Sequence, residues 1–186
     1  MSKATCASGI LGAIVSLTAV VQGMPANRGE RNGIDFQIVA DKMTYSPEST
    51  LHVKFLVTNT GETPLYLPRD ISVCSNQYGF VFLQFLDRHD RDVRSEGCSS
   101  DSWPPLGDVD ALKEVSDLRF WILLKHGEIY GTEDEFKLPA NKGTYRLKAE
   151  LIPPGFTDKQ REVLAQKGTR ILQTPCAAPI VTITLR

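Results

Sequence analysis

From Ile34 onward apolar and polar residues alternate with a period of two, the mark of strands that bury one face. Ile34, Phe36 and Ile38 alternate with Asp35 and Gln37. Leu51, Val53, Phe55 and Val57 alternate with His52, Lys54, Leu56 and Thr58, the clearest such run in the chain. Tyr145, Leu147, Ala149 and Leu151 share one face of a third strand, opened by Gly143-Thr144, and Ile180 to Leu185 forms the last. Gly79 to Asp87 is apolar on both faces and reads as a central strand, with Val93 onward returning as its hairpin partner. Shorter strands are expected at Leu65-Tyr66-Leu67, at Leu118 to Leu124 and at Phe136-Lys137-Leu138-Pro139. Pro64 and Pro68 flank the first of these, which suits an edge or sheet-switching strand.

Turn residues separate these runs. Pro47 fixes φ in Lys42 to Glu48, and Asn59-Thr60-Gly61-Glu62 and Lys125-His126-Gly127-Glu128 punctuate the chain further on. One helix is expected after residue 26, over 157–166. Thr157 is its N-cap, Gln160 completes a capping box and Gly168 follows the C-terminus. Ser99 to about Val115 reads as a loop. Seven to nine short strands with regular turn signals predict an all-β, antiparallel sandwich of immunoglobulin-like type, carrying one short inserted helix.

The first 26 residues follow a different pattern. Lys3 precedes an uncharged stretch from Ile10 to Val21. As a helix this stretch is about 18 Å long, short of the roughly 30 Å of a hydrocarbon core. A basic start, a short apolar middle and small residues before the end mark a secretory signal peptide over 1–26, leaving 27–186 as a single sandwich domain. The expected location is secreted or periplasmic, with no membrane span after signal removal. Removing the signal takes away only Lys3 and leaves 20 basic against 22 acidic residues, so nothing in the charge favours nucleic acid. The full chain is 41% hydrophobic, and the roughly 160 residues that remain have material for one self-sufficient core.

Export also bears on the cysteines. Cys74, Cys98 and Cys176 remain after processing, in an oxidising compartment. Cys74–Cys98 is the first choice for a disulfide because the two flank the expected hairpin. Closing that loop of about 25 residues is worth ~3 kcal/mol on the chain-entropy model. Cys176 competes for either partner.

Three segments resemble exported bacterial immunoglobulin-like domains, including macroglobulin-type and proteinase-inhibitor-like modules. They are Tyr45-Ser46-Pro47-Glu48 leading through Leu51 to Gly61, then Gly143 to Leu147, and the closing Ile180 to Leu185 strand. Glu48 stands where that opening usually has glycine, an exchange tolerable in a type I turn but not in one needing φ > 0. The resemblance implies a fold and a habitat and names no catalytic residue.

Candidate chemistry is sparse. Asp87, His89, Asp90 and Asp92 form the densest set of potential metal ligands, but Arg88 and Arg91 stand among them, so a solvated turn with internal ion pairs is expected rather than a metal site. His52, His89 and His126 are the only histidines, and no nucleophile elbow, metalloprotease helix or phosphate-binding loop accompanies them. No catalytic residue, metal or cofactor is therefore assigned. The long loop is the candidate recognition surface. Trp103 supplies a rigid aromatic beside Pro104-Pro105, with Asp101 and Asp108 as polar neighbours. The expectation is a non-enzymatic, monomeric binding module with a protein or glycan partner outside the cytoplasm. Two other readings stand beside it: a carbohydrate-binding module stacking sugars on Trp103, and a hydrolase whose site residues are scattered in sequence.

Overall fold

A computed structural model describes residues 33–73, 80–96 and 107–186. Strand β3 (Thr50–Asn59) shows what alternation achieves: Leu51, Val53, Phe55 and Val57 are all buried, while His52 and Lys54 face solvent. It is the middle strand of a three-stranded antiparallel sheet, between β1 (Ile34–Ala40) and β8 (Ile129–Lys137). Register places Phe36 opposite Val57, and Leu51 opposite Phe136. The second sheet has six strands. Its order is β2 (Thr44–Tyr45), β12 (Val181–Leu185), β9 (Gly143–Ile152), β5 (Phe80–Leu86) and β6 (Asp92–Glu96), with β11 (Cys176–Ala177) pairing separately to β9. The strand expected from the doubly apolar run is thus an inner one. The third sheet is small, with β4 (Leu65–Pro68) between β10 (Arg170–Ile171) and β7 (Trp121–Leu124).

The two larger sheets share one apolar core. Phe36 stacks on Phe55 within the three-stranded sheet, with ring centroids 6.4 Å apart. Phe85 of β5 meets Phe136 of β8 edge-on at 6.3 Å, which joins one sheet to the other. Leu65, Leu67 and Leu124 of the small sheet close the same core. Full burial of each such side chain is worth about 1.5–3 kcal/mol, so this shared interior dominates the stability of the described residues. The described residues are mostly β, with two helices.

Several expectations are corrected. Among the described residues there are two helices rather than one, because α1 (Ala111–Ser116) forms at the end of the stretch expected to be loop; α2 (Asp158–Gln166) is the helix expected. Twelve strands are present among the described residues, not seven to nine, and the pairing is not wholly antiparallel: β10 runs parallel to β4, and β2 parallel to β12. The proline-flanked β4 is the middle strand of its sheet, not an edge. It is short enough that Pro68, at its last position, ends the ladder without interrupting it. The strand expected over 118–124 starts only at Trp121.

Glu48 corrects the turn assignment. Ser49 N donates to Ser46 O at 3.2 Å around Pro47 and Glu48, and Glu48 has φ 58°, so the turn is type II with glutamate at the position that favours glycine. A left-handed residue with a Cβ costs about 1–2 kcal/mol, against ~0.5–1 kcal/mol of extra unfolded-state entropy for glycine. Glu48→Gly should therefore stabilise the protein by about 0.5–1 kcal/mol, read as a higher urea midpoint with an unchanged m-value; a lower midpoint would refute the strain.

Candidate functional site

The described end of the long loop is built onto a second, smaller core. Asp110 caps α1, its carboxylate accepting from Leu112 N at 3.1 Å and Lys113 N at 3.3 Å. Six residues are too few to hold a helix alone; Ala111 and Val115, one turn apart, anchor it by burial beside Trp121. Trp121 is fully buried and stacks on Phe156 at 5.8 Å, with Leu164 and Ile171 completing the cluster. The capping box expected for α2 is present. Gln160 has a further role there: Oε1 accepts from Thr157 N at 2.8 Å, while Nε2 donates to Gly107 O at 2.9 Å and Val109 O at 3.0 Å. One side chain thus caps α2 and fixes the backbone on both sides of Asp108, which is exposed.

Between α1 and β7 the chain turns sharply. Phe120 N and Trp121 N both donate to Asp117 O at 3.0 Å. Arg119 grips the Asp117 carboxylate through Nε at 2.9 Å and Nη2 at 2.6 Å, and these bonds hold Asp117 down at about 2. Arg69 secures the turn from β4, its backbone N donating to Phe120 O at 2.8 Å and its Nη2 to Leu118 O at 2.9 Å. The geometry sends Trp121 inward and leaves Leu118 58%, Phe120 48% and, on β7, Leu123 40% exposed. Val109 and Val163 are also exposed on this cap. Half of the ten large apolar side chains exposed among the described residues therefore belong to the α1–β7–α2 region.

Of the residues read as site candidates, Asp108 lies at the base of this region. Asp101 and Trp103 lie outside the described residues, as do Cys74, Cys98 and the segment 1–26. Cys176 is buried, and its Sγ lies 3.8 Å from Ile34 O. The Asp87 to Asp92 turn carries internal ion pairs. Burial raises the Asp87 pKa, but hydrogen bonds from the Arg91 side chain and backbone and from His89 N outweigh it and leave the carboxyl at about 2. Asp90 pairs with Arg146 of β9. No group of three or more His, Cys, Asp or Glu side chains is placed to hold a metal among the described residues. The three histidines stand apart: His52 lies 3.2 Å from Glu135 on an exposed sheet face, His89 bonds Arg88, and His126 bonds Gly61 O. The exposed Leu118 and Phe120 escaped the sequence reading because apolar residues next to a strand look like its continuation.

No helix among the described residues is long and apolar enough to cross a membrane. No protein-family model matches the chain, and no curated protein matches it. Among solved structures it is similar to Spo0M, a sporulation control protein from Bacillus subtilis, at 10% identity and TM-score 0.43 over 84% of this chain and 50% of that one. It is also similar to the β-glucosidase EmGH1 from Erythrobacter marinus, at 14% identity and TM-score 0.37 over 82% of this chain and 15% of that one. A third structure is AvmM, which catalyses macrocyclization in alchivemycin A biosynthesis, at 10% identity and TM-score 0.39 over 83% of this chain and 89% of that one. The chain spans half the length of Spo0M and a smaller part of the glucosidase. With each of these TM-scores below 0.5, the likenesses assign the chain to no family and carry no activity over to it.

Proposed function

We propose that the chain is an exported, non-enzymatic interaction module, an immunoglobulin-like sandwich that docks a protein partner on its α1–β7–α2 cap. The supporting observation is the exposure of Leu118 and Leu123, with Phe120 between them, on a turn and strand that are otherwise firmly held. Exposed apolar groups gathered in one region mark interaction surfaces, whereas single ones scattered over a protein need no explanation. Rigidity adds to the case, since an anchor that is already ordered loses little conformational entropy on binding. β7 is also the outermost strand of its sheet, the position from which strand addition works.

A photo-crosslinking side chain placed at Leu118 should give a discrete protein adduct in the exporting cell. One placed at Ile129, equally apolar and 63% exposed on β8, should not. Leu123→Asp should abolish the Leu118 adduct without shifting the melting temperature by more than about 2 °C, the range expected of a surface change. Equal labelling from both positions, or none from Leu118, would overturn the assignment.

A further inference from the structure

A second site lies where the chain crosses from one large sheet to the other. β2 is the outermost strand of the six-stranded sheet, β3 is the middle strand of the three-stranded one, and the strained Ser46–Ser49 turn joins them. At this crossing is an open cavity of about 360 Å³ whose walls include Lys42, Thr44, Ser46, Ser49, Thr50 and Arg186. Two cations and four hydroxyls thus line one hollow at a sheet edge.

The neighbouring polar groups are largely committed to one another. Tyr45, which also lines it, is buried; its hydroxyl donates to Asp41 Oδ1 at 2.6 Å and accepts from Lys42 N at 2.9 Å. Burial first, and the hydrogen bond to Asp41 second, push the Tyr45 pKa up to about 12, so the phenol stays neutral. Asp41 is not part of the lining. It is held by Tyr45, by His52 N at 3.2 Å and by Lys42 Nζ at 3.8 Å. Glu48, the other nearby acid, sits on the turn outside the lining.

The backbone contributes as well. In the parallel pairing of β2 with β12, Met43 O accepts from Thr184 N and Tyr45 O from Arg186 N. Successive residues of a strand face opposite edges, so the N–H of Thr44 is directed away from β12, off the sheet. The same Arg186 N–H···O bond, at 3.0 Å, ties the main chain of Arg186 to β2. Retention of the left-handed Glu48 beside this hollow fits the tendency of backbone strain to gather at binding sites.

We infer that this cavity is an anion site, taking one phosphate or sulfate group between Lys42 and Arg186 with the hydroxyls of Thr44, Ser46 and Thr50 as further donors. Cationic forks and hydroxyls are the donors such oxyanions use, and a charge-assisted bond is roughly twice as strong as a neutral one. The group is either the free ion or the substituent of a phosphorylated saccharide. The site is independent of the apolar cap, and either can stand without the other.

The test is titration of the labelled protein with inorganic phosphate and, separately, glucose 6-phosphate, following backbone amide shifts at constant ionic strength so that general screening does not contribute. Saturable shifts are expected at Thr44, Ser46, Ser49 and Thr50. Lys42→Gln and Arg186→Gln should each weaken binding about tenfold, the equivalent of ~1.4 kcal/mol. Lys148→Gln, on the exposed part of β9, should leave it unchanged. Tighter binding of the sugar phosphate would identify a saccharide source; equal binding would identify the free group. Linear shifts that never saturate, or saturation unaffected by both charge-removing variants, would overturn the site.

Discussion

Replacing Trp121 with alanine is expected to cost about 3–5 kcal/mol of unfolding free energy, the range for truncating a fully buried large aromatic. The indole is the common wall of the second core: it stacks on Phe156, and Ala111 and Val115 of α1, Leu164 of α2 and Ile171 of β10 belong to the same cluster. Each of those elements is short. α1 has six residues and β10 two, so neither has local stability to fall back on. Loss of the indole should therefore release the cap before the rest of the fold. Native-state hydrogen exchange should show α1 and α2 amides losing most of their protection, while β5 and β9, which line the first core, keep theirs. Trp121→Phe, which keeps a ring opposite Phe156, should lose less than half as much. A loss below about 1 kcal/mol for Trp121→Ala, or α1 protection unchanged, would mean that the cap stands without this residue.

That dependence explains which parts of the fold were legible in the sequence. β3 and β9 were readable because they alternate over ten residues each and bury one face only. α2 was readable from its ends, where Thr157 and Gln160 announce a capping box. α1 was not. Its signals are one capping aspartate and two small apolar residues, and nearly all of it falls in the stretch that reads as loop. What makes it a helix is the tertiary surface of Trp121, which no local window contains. β8 was seen only at its Phe136 end, because Glu133 and Glu135 face outward and Asp134, turned the other way, accepts from Val73 N at 3.3 Å. A strand whose inward polar groups find backbone partners does not display an apolar stripe. The parallel pairings of β2 and β10 involve two residues each and join distant segments, so only the assembled core reveals them. The sequence named the long loop, with Asp108, as a recognition surface, and assigned Leu118 and Leu123, on which the proposed docking surface rests, to a strand. Lys42 and Arg186 come from distant segments, so no local window brings them together.

Asn59 carries the other large expected effect. Its residue type reads as a turn former, yet it is the one buried polar residue among the described side chains and sits where three segments meet. Nδ2 donates to Leu124 O at 2.8 Å and Thr63 O at 3.0 Å, while Oδ1 accepts from Gly61 N at 3.0 Å and Arg170 Nη1 at 2.7 Å. Arg170 also reaches Thr63 O at 2.9 Å and Gly33 O at 2.7 Å, so β3, β7, β10 and the approach to β1 are tied at one point. A Cβ at Gly61 would lie 2.6 Å from Arg170 Nη1, so a side chain there would displace the guanidinium. Asn59→Ala removes both donors and both acceptor contacts of one amide and leaves the buried Leu124 carbonyl and the Arg170 guanidinium without this partner, at roughly 1–3 kcal/mol for each group left unsatisfied. Partial relaxation brings the expected loss to about 3–4 kcal/mol on urea unfolding. Arg170→Ala removes the guanidinium from Thr63 O, Gly33 O and Asn59 Oδ1 and should cost about 2–3 kcal/mol. Because the two side chains share Thr63 O and bond each other, the double variant should fall short of the sum by at least about 1 kcal/mol. Strict additivity would show that Asn59 and Arg170 act separately, and that the joint between the three-stranded sheet and the small one is held by its apolar contacts instead.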